Sequence, residues 1–200
     1  MNKILLLGDS IIDNKSYVTG LSTDQHIVKQ YPNDTIIMRA VDGAKVEDVY
    51  DQLPEGNINL KAVVLSIGGN DALDVASQLN APTRTVGEGL IYLYDHIRKF
   101  EARYTKLLSV ITHKYKGVPV IACTIYEGNH SDRNMQKAAT VGVKMYNDVI
   151  YNLANQNTHV SVYELRDLFK SYTDYANPIE PSSTGSEKFA NMLKRYIPVD

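Results

Sequence analysis

The chain is poor in features that usually announce a function. A single cysteine among 200 residues excludes an internal disulfide. Its setting, Val118-Pro119-Val120-Ile121-Ala122-Cys123-Thr124, is that of a buried strand rather than a reactive thiol. Neither charge sign dominates: the net charge is −2 and the isoelectric point about 6.2. That balance offers no electrostatic ground for nucleic acid or an anionic membrane as partner. Only four apolar residues, Ile4 to Leu7, precede Gly8. They are too few for a signal peptide or a membrane span, so a cytoplasmic location is expected. No linker, repeat or low-complexity segment divides the chain, and residues 1–200 read as one domain with room for a substantial core. Tryptophan is absent and phenylalanine occurs three times against fourteen tyrosines, a bias that composition alone does not explain.

What is present is an alternation of short apolar runs with amphipathic stretches. Lys3–Leu7, Thr35–Val41, Leu60–Ile67, Val120–Ile125 and Val160–Tyr163 read as five strands. Between and after them, Thr23–Gln30, Lys45–Leu53, Ala72–Gln78, Thr85–Tyr115, Asp132–Gln156 and Ser183–Tyr196 read as helices. In the longest, Leu90, Leu93, Ile97, Phe100, Tyr104, Leu107, Leu108 and Ile111 recur at spacings of three and four, predicting a buried stripe. Strand–helix alternation of this kind predicts a three-layer α/β/α sandwich around a five-stranded parallel sheet with right-handed crossovers.

The chemistry-bearing residues fall at the carboxyl ends of the first three strands. Ser10 follows the first, in Gly8-Asp9-Ser10; Gly43 follows the second; Asn70 follows the third, in Gly68-Gly69-Asn70-Asp71. Taken singly, each is an ordinary turn or cap residue. Taken together they share the one edge of a parallel sheet where ligands bind. There they can supply what acyl transfer needs: a nucleophile, and donors aimed at a developing oxyanion. The donors would be the Ser10 and Gly43 N–H groups and the Asn70 amide. A nucleotide-binding reading is weaker, since no glycine-rich phosphate loop follows the first strand.

These blocks resemble the SGNH hydrolase superfamily, the GDSL lipases and esterases. Gly8-Asp9-Ser10-Ile11-Ile12-Asp13-Asn14, Ala40-Val41-Asp42-Gly43-Ala44, Gly68-Gly69-Asn70-Asp71-Ala72-Leu73, Thr124-Ile125-Tyr126 and Asp174 through Ser182 are similar to one bacterial subgroup of it. The resemblance implies a flavodoxin-like sheet, Ser10 as nucleophile, an oxyanion hole of Ser10, Gly43 and Asn70, and no metal or organic cofactor.

The family's last signature, Asp-x-x-His before the final helix, is replaced by Asn177-Pro178-Ile179-Glu180, followed by Pro181-Ser182, and no histidine follows His159. Glu180 therefore has two readings. It is an atypical base whose carboxylate Asn177 orients, or a loop residue that accepts N–H groups near the last helix. His130, in the loop after the fourth strand, is another candidate base at the same edge. Asp9, Asp13 and Asp71 are expected to hold backbone. His26, His96 and His113 fall in helices and are expected on the surface. Two functions remain open: a serine hydrolase acting on a small-molecule ester through an acyl-enzyme, or a binding protein that holds an acylated or anionic small molecule in the same pocket without turnover.

Overall fold

The computed structural model describes residues 2–56, 58–79 and 81–199. Its strands are β1 (Lys3–Gly8), β2 (Thr35–Met38), β3 (Ala62–Ser66), β4 (Val120–Cys123) and β5 (Val160–Tyr163). Its helices are α1 (Thr23–Gln30), α2 (Val49–Gln52), α3 (Gly69–Ala76), α4 (Val86–Lys114), α5 (Arg133–Asn155) and α6 (Ser183–Leu193). The strands pair in parallel in the order β2-β1-β3-β4-β5. This is the flavodoxin-like three-layer arrangement that the alternation predicts, with β1 flanked on both sides.

Burial on both faces explains the continuous apolar runs. Leu5, Leu7, Val63 and Leu65 face a core closed by α4 and α5 through Phe100, Tyr104, Leu107 and Tyr146. Ile4, Leu6, Val64 and Ile121 face the other, closed by α1 and α6 through Ile27, Phe189 and Leu193. The tyrosine bias has a structural use. Tyr31, Tyr163 and Tyr146 bury their rings while their hydroxyls donate to the carbonyls of Ile197 (2.9 Å), Phe189 (2.8 Å) and Asp71 (3.3 Å). A phenylalanine would fill the same space without that tether.

Several boundaries differ from expectation for local reasons. β2 ends at Met38 because the Arg39 and Ala40 N–H groups both turn to the Leu6 carbonyl (2.9 and 3.1 Å), which breaks the ladder. Beyond β4, the Ile125 N–H leaves the sheet for the Asn147 side chain (2.7 Å). The Lys45–Leu53 segment is a 3-10 turn, Val46–Asp48, followed by the short α2. α3 starts at Gly69, three residues early, with Gly68 at a φ of 115° as its cap. The buried stripe of α4 is shorter than its periodicity: Leu90 is 59% exposed, and full burial begins at Phe100. Ahead of Phe100, Leu93 and Ile97 are half-buried and line a cavity.

Candidate active site

The order β2-β1-β3 brings the three strand exits together. Gly8 makes the first exit. At a φ of 140°, its backbone passes so close to β3 that a Cβ would stand 1.9 Å from the Ser66 carbonyl oxygen. Buried Gln52 grips the same residue from the β2 side: the Gly8 N–H donates to Oε1 and Nε2 donates to the Gly8 carbonyl, both at 2.8 Å. The next turn uses its backbone groups almost completely. Asp9 N–H donates to the Ser66 carbonyl (3.0 Å), Ile11 N–H to Asp9 Oδ1 (3.1 Å), and the Ile12 and Asp13 N–H groups to the Asp9 carbonyl (3.1 and 3.0 Å). Among the described residues, the Ser10 N–H is left without an acceptor.

The Gly43 loop repeats the pattern. Its neighbours are spoken for, since Asp42 N–H donates to Asp13 Oδ2 (3.0 Å) and Ala44 N–H to the Val41 carbonyl (3.1 Å). The Gly43 N–H has no acceptor among the described residues, and no atom lies within 4 Å of where its Cβ would stand. Asn70 lies in the first turn of α3, not in a loop as expected. One of its amide protons goes to the Ala44 carbonyl (2.9 Å), which ties the third strand end to the second and leaves the other proton free. Asp71 reinforces this join from α3, accepting the Val46 N–H (3.1 Å) and Arg103 Nη2 (2.9 Å).

The segment before α6 brings Glu180 to Ser10. Its loop is fastened at several points: the Ala176 N–H to the Glu180 carbonyl (2.9 Å), the Tyr126 hydroxyl to the Ile179 carbonyl, and Asn14 Nδ2 to the Pro181 carbonyl (2.9 Å). Asn14, fully buried four residues after Ser10, also donates to Ser186 Oγ (2.9 Å) and accepts the Thr23 N–H (2.8 Å). It thus couples the Ser10 turn to the Glu180 loop. Asn177 acts differently from expectation. Its Oδ1 accepts the Ile179 and Glu180 N–H groups, both at 2.9 Å, so it orients the backbone at Glu180 rather than the carboxylate.

The Glu180 side chain is 4% exposed, and burial pushes its carboxyl above the ordinary range. A hydrogen bond with the Ser10 side chain opposes that push, while the Asp42 charge adds to it. Its Oε2 has no hydrogen-bond partner. Asp9, 2% exposed, is pushed up to about 7, first by burial and further by the charges of Glu180 and Asp71, against the hydrogen bond from Ile11. Burial likewise pushes up the Cys123 thiol, in keeping with an inert strand cysteine.

Ser10, Asp9, Asn70 and Glu180 line a cavity of about 300 Å³ that runs between α3, α4 and α5. His130 lines it too, with its N–H donating to Gln136 Oε1 (2.8 Å). Two helix histidines expected on the surface are elsewhere. His26 is buried, with Nε2 3.1 Å from Ser183 Oγ between α1 and α6, and His96 lines the cavity beside Tyr92. His113 is exposed as expected. Among the described residues, no three His, Cys, Asp or Glu side chains are grouped to hold a metal ion, and no helix is long and apolar enough to cross a membrane.

The model of the GDSL-like lipase/acylhydrolase family matches residues 6–188. The chain belongs to that family. Solved structures agree in fold at low identity. An extracellular lipase from Streptomyces rimosus superposes with a TM-score of 0.71 at 17% identity, covering 98% of this chain and 99% of that one. A catalytic mutant of an acetylxylan esterase from Geobacillus stearothermophilus gives 0.69 at 18%, covering 100% and 95%. A phospholipase A1 from Streptomyces albidoflavus gives 0.68 at 17%, covering 97% and 98%. A search of curated protein sequences finds no match. Against this GDSL-like background, sequence reasoning missed Asn14, Gln52 and Tyr126, which hold the strand exits and the Glu180 loop in place. A buried-polar role leaves no periodic signal, so only the fold exposes it.

Proposed function

We propose that this GDSL-like chain is a serine hydrolase that cleaves a carboxylic ester through an acyl-enzyme on Ser10, with Glu180 as base. The observation that carries the reading is that Ser10 and Glu180 line one cavity, with Glu180 buried and, among the described residues, in no ion pair and its Oε2 without a hydrogen-bond partner. An ordinary carboxylate is too weak a base to take a serine proton near neutral pH, and burial narrows that gap. In the first half-reaction Ser10 Oγ attacks the ester carbonyl carbon while Glu180 takes the hydroxyl proton. The carbonyl oxygen gains the negative charge, and the free N–H groups of Ser10 and Gly43 and the free Asn70 amide proton are the donors for it. Collapse breaks the bond to the alcohol oxygen, which leaves with the proton from Glu180. Water then attacks the acyl carbonyl carbon and gives a proton to Glu180; the bond to Ser10 Oγ breaks, Glu180 returns that proton to Oγ, and the acid departs. Asn177 acts here through the backbone of the Glu180 loop, in the Asn177-Pro178-Ile179-Glu180-Pro181-Ser182 segment.

The deciding assay is p-nitrophenyl acetate hydrolysis against pH for the wild type, Ser10→Ala and Glu180→Gln. Loss of turnover in both variants, with melting temperatures retained, supports the pair. Loss in Ser10→Ala alone moves the base to His130 or to water. A wild type no faster than Ser10→Ala across esters makes the chain a binding protein for an acylated or anionic small molecule instead.

A further inference from the structure

The cavity beside Ser10 is unlike a site for a small polar acid. Its polar lining, which includes His96 and His130 besides the residues around Ser10, is outweighed by apolar wall: Ile67 just beyond β3, Val75 from α3, Leu93 and Ile97 from α4, and Met145 from α5. Space is kept open by residues with little or no side chain. Ala72 and Ala76 stand one helical turn apart on α3, facing Ala138 and Gly142, likewise one turn apart on α5. Gly142 is the most telling. It lies in the middle of a 23-residue helix, where glycine is less stable than alanine, yet no atom lies within 4 Å of where its Cβ would stand. The opening is therefore real space and not a packing contact between backbones.

We infer that this cavity is an acyl-chain site, and that the ester cleaved carries a linear apolar acyl group of medium length. The inference rests on the Ser10 hydrolase reading for its chemistry, but the cavity is an independent observation. At about 30 Å³ for a group the size of water or a methylene, about 300 Å³ holds on the order of ten such groups, so the acyl chain has roughly six to ten carbons. The acyl portion is assigned to it, rather than the alcohol, by the order of events. The acyl group stays bonded to Ser10 through both half-reactions and gains from an enclosed seat. The alcohol must leave before water enters, and the Gly43 side offers an open groove edged by Asp42, Asp48 and Asp51.

The test is kcat/KM on p-nitrophenyl acetate, hexanoate, octanoate and dodecanoate, with ethyl and octyl acetate as the alcohol-side series. Full burial is worth about fourfold per methylene. The wild type is expected to favour octanoate over acetate by more than about tenfold and to gain nothing further at dodecanoate. Gly142→Phe lowers the octanoate-to-acetate ratio at least about tenfold, and Gly142→Ala, which cannot break the helix, lowers it by less. An unchanged ratio in Gly142→Phe, a wild-type preference for acetate, or a dependence on alcohol length instead overturns the inference. Calorimetric binding of 2-octanone against 2-butanone to Ser10→Ala separates the two readings, because neither ketone can be hydrolysed. Tight 2-octanone binding that Gly142→Phe removes, in a chain that hydrolyses no ester, keeps the cavity and ends the hydrolase. Ser10-dependent hydrolysis with no chain-length response keeps the hydrolase and ends the acyl site.

Discussion

Replacing Asp9 by asparagine should remove most of one pH-dependent stability term and leave the fold in place. Asparagine keeps the oxygen that accepts the Ile11 N–H but cannot ionise. The carboxyl of Asp9 is raised from 3.8 to about 7, chiefly by burial. A raised acid binds its proton more tightly folded than unfolded. Its stabilising contribution is therefore complete below pH 3.8 and is lost as pH rises through about 7. At 1.36 kcal/mol for each pH unit between the two values, the loss totals about 4 kcal/mol. That is a large share of the roughly 5–15 kcal/mol by which domains are stable. Urea unfolding of both proteins from pH 4 to pH 8 checks this. The Asp9→Asn midpoint should draw ahead of the wild type as pH rises, by about 2 M urea at pH 8 for a slope near 2 kcal/mol/M. A gap between the two midpoints that stays constant across that range refutes the reasoning, since a pH-independent packing change would then be the whole effect.

The other expectations are briefer. Glu180→Gln should cut kcat by about 10²–10⁴ with little change in KM, and should erase the acidic limb of the pH–rate profile. In the wild type that limb rises as Glu180 loses its proton, above the ordinary carboxylate range because burial holds the carboxyl up; a limb that survives in the variant assigns it to another group. Asn14→Ala leaves the Thr23 N–H and the Pro181 carbonyl unpaired and takes one of two partners from Ser186 Oγ, so a loss of roughly 3 kcal/mol is expected in urea unfolding, with kcat reduced more than KM. Equal activity per folded molecule would limit Asn14 to stability. Gly8→Ala puts a Cβ 1.9 Å from the Ser66 oxygen at a φ of 140° and should cost more than about 3 kcal/mol, with an unchanged unfolding midpoint counting against the described exit of β1.

What the sequence made legible was local chemistry repeated at strand ends. Gly-Asp-Ser, Asp-Gly and Gly-Asn-Asp each follow an apolar run, and a parallel sheet has only one edge at which such ends can meet. The bounds of α1 and β5 agree with expectation, Thr23–Gln30 ahead of the Tyr31-Pro32-Asn33-Asp34 turn and Val160–Tyr163. Less legible was anything that depends on what covers a surface. Leu90 and Phe100 share one apolar stripe, yet only the second is buried. Gly142 and Ala138 read as indifferent helix residues until α3 and α4 are set opposite them. His26 reads as a surface histidine until α6 closes over it. Gln52, Asn14 and Tyr126 bond backbone groups distant in sequence, 44, 167 and 53 residues away, and no short-range pattern encodes that.

On the proposed reading, a glutamate as base at position 180 makes physical sense when the buried carboxylates are compared. Five aspartates and glutamates are buried: Asp9, Asp34, Asp71, Asp174 and Glu180. Three of them face a cation, Asp34 with Lys61 (3.1 Å), Asp71 with Arg103 (2.9 Å) and Asp174 with Lys188 (2.7 Å). Half-buried Glu164 shows how far such pairing can go. Burial pushes its carboxyl up, but Arg166, Tyr151 and Thr124 override that and hold it at about 2. A carboxylate held so low is useless as a base. Among the described residues, Asp9 and Glu180 alone of the five form no ion pair, and both lie at Ser10. Leaving a carboxylate buried and unpaired costs stability, and it also raises its affinity for a proton. The proposed transfer of a proton from Ser10 gives that cost a use.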